Sequence, residues 1–305
     1  MNPSVTIIIV NYNVKDLLVA CLYSIYKYTI GCSYEIIVVD NNSVDESVVV
    51  VKEKFPNVIL LQNKTNAGFP EANNQGMRIS KGEFILLLNP DTELIEDSIA
   101  ILLNFSRENP NVTLIAPKLL NADRTVQRSI YRFPRLKYLL AEMFYLEFLT
   151  PDKYYAEKNT NTIFEVESAA GAALFFRKEL IKTIGMLNAR LFWIEDIDFC
   201  YRIAKAGGKV VYLPTTEIVH YSGQSAKRNF NVSISNQVIN KIKFFKIHKS
   251  GIKLFFVYLL SLSNVIMRLI LFTFLAPFGK IYFLKMKAYW FTLPVIFTAT
   301  KGIKK

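Results

Sequence analysis

Residues 84–94 read FILLLNPDTEL. Five consecutive apolar residues, Phe84–Leu88, are short for a buried helix and suit a strand covered on both faces. The run stops on Asn89-Pro90-Asp91, residue types that end strand pairing and build turns. Asp91 therefore stands at a strand end, either as a turn residue alone or as a group that holds a ligand.

The flanking sequence tells what covers such a strand. Val5–Val10 is a β-branched run, and Val14–Tyr28 places Leu17, Leu18, Cys21, Leu22 and Ile25 on one helical face. Glu35–Val39 is the next strand, and Ser43 with Asp45 and Glu46 opens a second helix. Val58–Leu61 (strand), Glu71–Ser80 (helix), Ser98–Glu108 (helix) and Val112–Ala116 (strand) continue the alternation. Apolar strands separated by helices predict an α/β fold, with a mostly parallel sheet and helices on both faces. Residues 129–165 break the pattern and read as a long excursion. Ala172–Phe176 and Lys209–Leu213 are later strands, with a helix over Asp196–Ala206 between them.

Ligands of such sheets bind beyond the carboxyl ends of the strands. Those ends are Asn11-Tyr12-Asn13, Asp40-Asn41-Asn42-Ser43 and Asn89-Pro90-Asp91, all polar. Each alone is a serviceable turn or cap; three on one edge favour a site. Asn66-Ala67-Gly68-Phe69 precedes a helix carrying Asn73, and a helix N-terminus after a glycine favours an anion. Glu195, Asp196 and Asp198 follow Trp193 closely. Acids at a helix start complement its dipole, whereas a desolvated carboxylate suits a general base. His220, one of two histidines, becomes a candidate cation ligand if an oxygen ligand such as Asp91 lies near. No G-x-G-x-x-G or G-x-x-x-x-G-K-[ST] occurs, which argues against dinucleotide and P-loop folds.

The net charge of +12 is concentrated at one end. Residues 227–305 hold 14 Lys and Arg and no acid, leaving 23 basic and all 25 acidic residues before them, a net of −2. This divides the chain into a slightly acidic globular domain, 1–226, and a basic, apolar region, 227–305. Leu254–Ala276 is long enough to span a bilayer. Lys243, Lys246, Lys249, Lys253, Ser261, Asn264 and Arg268, however, fall within a sector of about 120°. That stripe favours amphipathic helices lying in the plane of an anionic membrane, with Arg268 at the headgroups. Ile281–Ala299 reads as a second such element. The opening MNPSVTIIIVNYN has no basic n-region or cleavage site, and the three cysteines lack C-x-x-C spacing. Both fit reduced thiols and a cytoplasmic setting, on the inner face of the cell membrane. The lipid-like tail carries no groove-reading motif, so nucleic acid is not an expected partner.

The ordered set TIIIVNYN, VVDNNSVDES, NAGFPEANNQG, LLLNPD, AAGAALFFRKE, LFWIEDIDFCYR and HYSGQS resembles the family 2 glycosyltransferases of GT-A fold, and within them the rhamnosyltransferase-like branch of bacterial polysaccharide enzymes. The resemblance runs from Val5 to about Ser225, and it implies a catalytic domain over 1–226 with the nucleotide-sugar part in 1–120 and the acceptor side in 121–226. It implies that Asn11, Tyr12, Asp40 and Asn42 lie at the base and ribose of a nucleoside-diphosphate sugar, and that Asn66, Gly68, Phe69, Asn73 and Asn89 line the donor pocket. It implies Asp91 and His220 at a Mg²⁺ or Mn²⁺ ion, and Gly171, Ala172 and Trp193 on the acceptor side. Asp196, paired with Glu195, is implied as the base of an inverting transfer to a saccharide acceptor, such as a polyprenyl-linked one. A deoxysugar such as rhamnose is among the implied donors. Asn89 stands where most of the family has the first Asp of D-x-D, a weaker oxygen donor to a hard cation. A nucleotidyltransferase or a non-catalytic nucleotide-sugar binder on the same scaffold is the alternative reading.

Overall fold

The computed structural model describes residues 2–146, 149, 161–221, 230–248 and 251–299. In chain order the elements are β1 (Val5–Asn11), α1 (Lys15–Tyr28), β2 (Tyr34–Asp40), α2 (Ser47–Lys54), β3 (Ile59–Gln62), α3 (Phe69–Ile79), β4 (Phe84–Leu88), β5 (Thr92–Leu94) and α4 (Ser98–Glu108). They continue with β6 (Leu114–Leu120), β7 (Ile130–Tyr131), α5 (Leu136–Met143), β8 (Phe164–Val166), β9 (Ser168–Ala169), β10 (Ala173–Arg177), α6 (Leu180–Ile184), α7 (Glu195–Lys205) and β11 (Val210–His220). The last helices are α8 (Phe230–His248), α9 (Ile252–Leu275) and α10 (Lys280–Ile296).

The chain forms two compact units. The first, residues 1–132, 154–190 and 195–222, carries all the strands; the second gathers 133–153, 191–194 and 223–305. The expected boundary at 226/227 lies outside the described residues. The described part of the 129–165 excursion is divided between the units, since 133–146 with α5 join the C-terminal helices. Residues 150–160 of it are outside the described residues.

In the first unit the sheet order is β3-β2-β1-β4-β10-β6-β11-β5, with β8 also paired to β11. Every residue of β1, β4 and β6 is buried, Thr6, Asn11 and Lys118 included, as a sheet covered on both faces requires. The α/β layering is as expected, but parallel pairing is confined to β3-β2-β1-β4 and to β6-β11. The sheet is mostly parallel, as expected, with β5, β8 and β10 running against the other strands. Strand β10 runs antiparallel between β4 and β6, and β5 pairs antiparallel with β11. Apolarity of a run reports its burial and not its direction. Helix α2 starts at Ser47, later than expected, because Ser43 and Asp45 are committed elsewhere. The Ser43 hydroxyl accepts the Asn13 N–H at 3.0 Å, and Asp45 accepts the Lys15 N–H at 2.8 Å. Strand β11 runs seven residues past the expected Leu213, over a register irregularity between Leu213 and Glu217 that accommodates Pro214.

The second unit reverses one expectation. On α9 the buried residues are Val257, Ser261, Val265 and Phe272, so the Ser261 side of the helix packs on protein. The Arg268 guanidinium donates to the Glu142 carbonyl at 2.9 Å and lies 4.2 Å over the Tyr145 ring. It ties α9 to the end of α5 and does not reach outward to headgroups. The outward face is apolar, with Phe255 60% and Phe274 74% exposed. Lys249 of the expected stripe lies outside the described residues. Residues Ile252–Phe278 are long and apolar enough to cross a membrane.

Helix α3 packs on β1 through Gly76, where an added Cβ would stand 2.6 Å from Ile8 Cγ2. Gly76→Ala should therefore destabilise the fold by about 1–3 kcal/mol, although alanine favours helix. Equilibrium urea unfolding checks this, and in an Ile8→Ala background the cost of Gly76→Ala should shrink.

Candidate active site

The site is built on the carboxyl edge of β1, β2 and β4. At the end of β1, Asn11 Nδ2 donates to Asp40 Oδ1 at 2.8 Å and to the Ser43 hydroxyl at 3.0 Å. The other Asp40 oxygen accepts the Ser43 N–H at 2.9 Å. Asn11 is 0% and Asp40 2% exposed, so the pair forms a buried brace under the edge while Tyr12 is exposed above it. Asn42 takes a left-handed φ of 67° in the turn after β2. Beside it, Asn41 accepts from Asn63 at 2.8 Å and from the Ala67 N–H at 3.3 Å, holding the loop that leads into α3. There Asn66 Oδ1 accepts the Gly68 N–H at 2.9 Å, and Gly68 has φ of 83°, which glycine adopts without strain. Phe69 begins α3, and its carbonyl accepts from the buried Asn73 at 3.0 Å.

Asn74 was not among the sequence candidates, and Asn41 and Ser43 entered there only as part of a polar strand end. Asn74 clamps the Leu187 backbone from both sides, donating at 2.8 Å and accepting at 3.0 Å. The signal was available in the paired asparagines Asn41-Asn42 and Asn73-Asn74, whose buried members Asn41, Asn73 and Asn74 all bind backbone.

Asn89 and Asp91 follow β4. The register that sets Thr92 opposite His220 brings Asp91 Oδ1 to 3.3 Å from His220 Nε2. Asn89 Nδ2 makes a long 3.4 Å contact with the same nitrogen. Asn89 Oδ1 is buried and has no hydrogen-bond partner among the described residues. A buried polar atom left this way is costly unless something else satisfies it. Among the described residues no three His, Cys, Asp or Glu side chains cluster as a metal site, and here the third group is an amide. A carboxylate, an imidazole nitrogen and an amide oxygen nonetheless form a donor set that fits Mg²⁺ or Mn²⁺.

Gly171 and Ala172 link this end of the site to α7. The Gly171 N–H donates to Asp196 Oδ2 at 2.8 Å, and the Ala172 carbonyl accepts the Asn89 N–H at 2.9 Å. An added Cβ on Gly171 would lie 3.4 Å from Asp196 Cβ, an ordinary van der Waals contact, so it is the backbone N–H of this residue that engages the carboxylate. Ala172, implied on the acceptor side, is 3% exposed and part of the core, so its side chain offers an acceptor no open surface. Burial pushes the Asp196 carboxyl up to about 6, opposed by the N–H groups of Gly171 and Ile197. Glu195 is buried beside it at the start of α7. Asp198 is an ion-pair residue, 2.8 Å from Arg202, whose other nitrogens bind the Ile184 and Met186 carbonyls. Trp193 belongs to the second unit; it is 41% exposed and has φ of 76°, a strained conformation for a bulky residue.

The Asp196 value has a consequence for folding. An unfolded aspartate titrates near ~4, so between there and about 6 the folded chain holds the proton more tightly. That contribution is present below the unfolded value and is lost as pH rises through about 6. Wild type should thus lose stability relative to Asp196→Asn between pH 4.5 and 7.5, read from paired thermal unfolding curves.

The comparisons with known proteins agree with this architecture. The family model Glycosyl transferase family 2 matches residues 6–185. The chain is 35% identical over 134 residues to the poly(ribitol-phosphate) beta-glucosyltransferase of Bacillus spizizenii, a match covering 42% of this chain and 21% of that protein. The match thus spans about a fifth of that relative's length. It is 26% identical over 210 residues to the N-acetylglucosaminyl-diphospho-decaprenol L-rhamnosyltransferase of Mycobacterium tuberculosis, over 64% of this chain and 68% of that one. Among solved structures, the mannosyltransferase PcManGT from Pyrobaculum calidifontis, in complex with GDP-Man and Mn²⁺, superposes with a TM-score of 0.57. That likeness covers 97% of this chain and 87% of the other at 17% identity, and shows a shared GT-A-like fold. With more than half its length matched, the chain belongs to glycosyl transferase family 2.

Proposed function

We propose that this glycosyltransferase inverts configuration, moving a sugar from a nucleoside diphosphate to a saccharide hydroxyl, with Asp196 as the base. The observation that carries this is the Asp196 carboxylate, pushed up to about 6 and aimed by the Gly171 N–H. A carboxyl titrating just below neutral pH is ionised at pH 7 yet basic enough to accept a proton. Asp196 takes the hydrogen of the acceptor hydroxyl as that oxygen bonds to the anomeric carbon. The bond from that carbon to the diphosphate oxygen breaks on the opposite face, and the configuration inverts in one displacement.

The nucleotide would rest on the edge of β1 and β2, against Tyr12 and above the Asn11–Asp40 brace. Asn66, Gly68 and Phe69 at the start of α3 would border the sugar, with the helix N-terminus favouring the diphosphate charge. Asp91, His220 and the Asn89 amide oxygen would hold the divalent cation, which when bound offsets charge on the leaving diphosphate. The rhamnosyltransferase name of the mycobacterial relative supports a deoxysugar donor and a polyprenyl-diphosphate-linked acceptor in cell-surface polysaccharide assembly. The outward apolar face of α9 and the acid-free, basic C-terminal region support attachment to the anionic inner face of the membrane.

Asp196→Asn should lower kcat by about 10²- to 10⁴-fold with little change in donor KM. The acid limb of the wild-type rate should bend near pH 6 and be absent from the residual rate of the variant. An unchanged kcat would place the base elsewhere. Full-length protein should float with anionic lipid vesicles, and Phe255→Asp with Phe274→Asp should leave most of it unbound; equal flotation would mean that this face does not meet lipid.

A further inference from the structure

His220 closes β11, and its ring is gripped by a residue that neither the sequence motifs nor the proposed chemistry uses. His220 Nδ1 lies 2.7 Å from Gln127 Oε1, and Gln127 Nε2 lies 2.9 Å from the His220 backbone carbonyl. The second contact fixes the sense of the first. A backbone carbonyl only accepts, so the Gln127 atom facing it is the amide nitrogen, and the atom facing the ring is the oxygen. Nδ1 therefore carries a hydrogen, and in the neutral ring Nε2 presents its lone pair towards Asp91 and Asn89.

The same sense is imposed along the hairpin from 121 to 127, where Leu120 and Val126 bridge antiparallel. Asp123 Oδ1 accepts both the N–H of Thr125 at 3.0 Å and its hydroxyl at 2.6 Å. With that hydrogen committed, the Thr125 oxygen accepts from Asn121 Nδ2 at 2.9 Å. Asn121 Oδ1 is thereby turned to accept from Gln127 Nε2 at 3.0 Å. Both Gln127 N–H groups are then used, one on Asn121 and one on the His220 carbonyl, and its oxygen can only accept from the imidazole. Each bond sets the direction of the next, from an acceptor-only carboxylate to the ring.

We propose that the hairpin 121–127 is a positioning device for His220, with Gln127 setting both the orientation and the tautomer that turn the Nε2 lone pair to the Asp91 side. The inference rests on the reading of Asp91 and His220 as cation ligands and adds four residues to it. Such outer partners of a ligating histidine fix its ring and raise its basicity, and their loss costs about 10- to 100-fold in metal affinity.

The test uses full-length protein in detergent micelles with ¹⁵N-labelled histidine. The chain has 2 histidines, so two rings are seen and His248→Asn assigns them. At pH 8 without metal, His220 should carry its hydrogen on Nδ1. Gln127→Leu should move hydrogen to Nε2 in part or whole, while Gln127→Glu, which keeps an acceptor oxygen, should retain the wild-type pattern. Binding of Mn²⁺ alone, followed by electron paramagnetic resonance, should weaken about 10- to 100-fold in Gln127→Leu and not in Gln127→Glu. Hydrogen on Nε2 in wild type, or an unchanged tautomer and Mn²⁺ affinity in Gln127→Leu, would overturn the proposal. The expected tautomer without Mn²⁺ binding would overturn the cation reading of Asp91 and His220 and leave the hold of the hairpin on the ring standing.

Discussion

Two backbone hydrogen bonds from adjacent residues hold the two ends of the site together. Gly171 gives its N–H to the Asp196 carboxylate, and Ala172 gives its carbonyl to the Asn89 N–H. Neither bond depends on the side chain of its backbone partner, so the geometry is set by where β10 enters the sheet. That strand runs antiparallel between β4 and β6, starting at the level where β4 ends. Its insertion lets one short segment face both the Asn89-Pro90-Asp91 turn and the start of α7. Backbone donors of this kind need little reorganisation, which is what an aimed carboxylate requires.

The length of β11 is the second constraint. Eleven residues are needed to carry the chain from its buried start to His220, past the irregularity at Pro214. Its last three residues pair with β5, and that pairing brings His220 beside Asp91. Gln127 then supports the ring from the opposite side. The proposed catalytic end thus draws on β10 and the proposed cation end on β5, two strands that run against β4 and β11.

This explains what could be read from the sequence. Unbroken apolar runs such as Phe84–Leu88 report burial on both faces, and the polar residues that end them mark the site edge. Asp91, Asp196 and His220 stood out in the sequence as two carboxylates and one of two histidines at element ends, and the structure sets Asp91 beside His220. The direction of β10 was not, since an apolar run looks alike either way round. Nor was the distribution of work inside the asparagine-rich turns: Asp40 and Asn73 are buried braces, and Asn41 and Asn74 hold backbone. On α9 the stripe was visible, but periodicity does not say which side meets protein. Arg268 bonded to the Glu142 carbonyl shows that the polar side does, leaving phenylalanines outward.

The central claim is a single displacement driven by Asp196, and the anomeric configuration of the product tests it most directly. Proton NMR would follow the first-formed sugar product from UDP-, GDP- and dTDP-sugars as each is turned over. The account predicts that the anomeric centre is inverted relative to the donor in whichever case reacts. Retained configuration would contradict it, because retention needs a second displacement or front-face departure that a lone base does not provide.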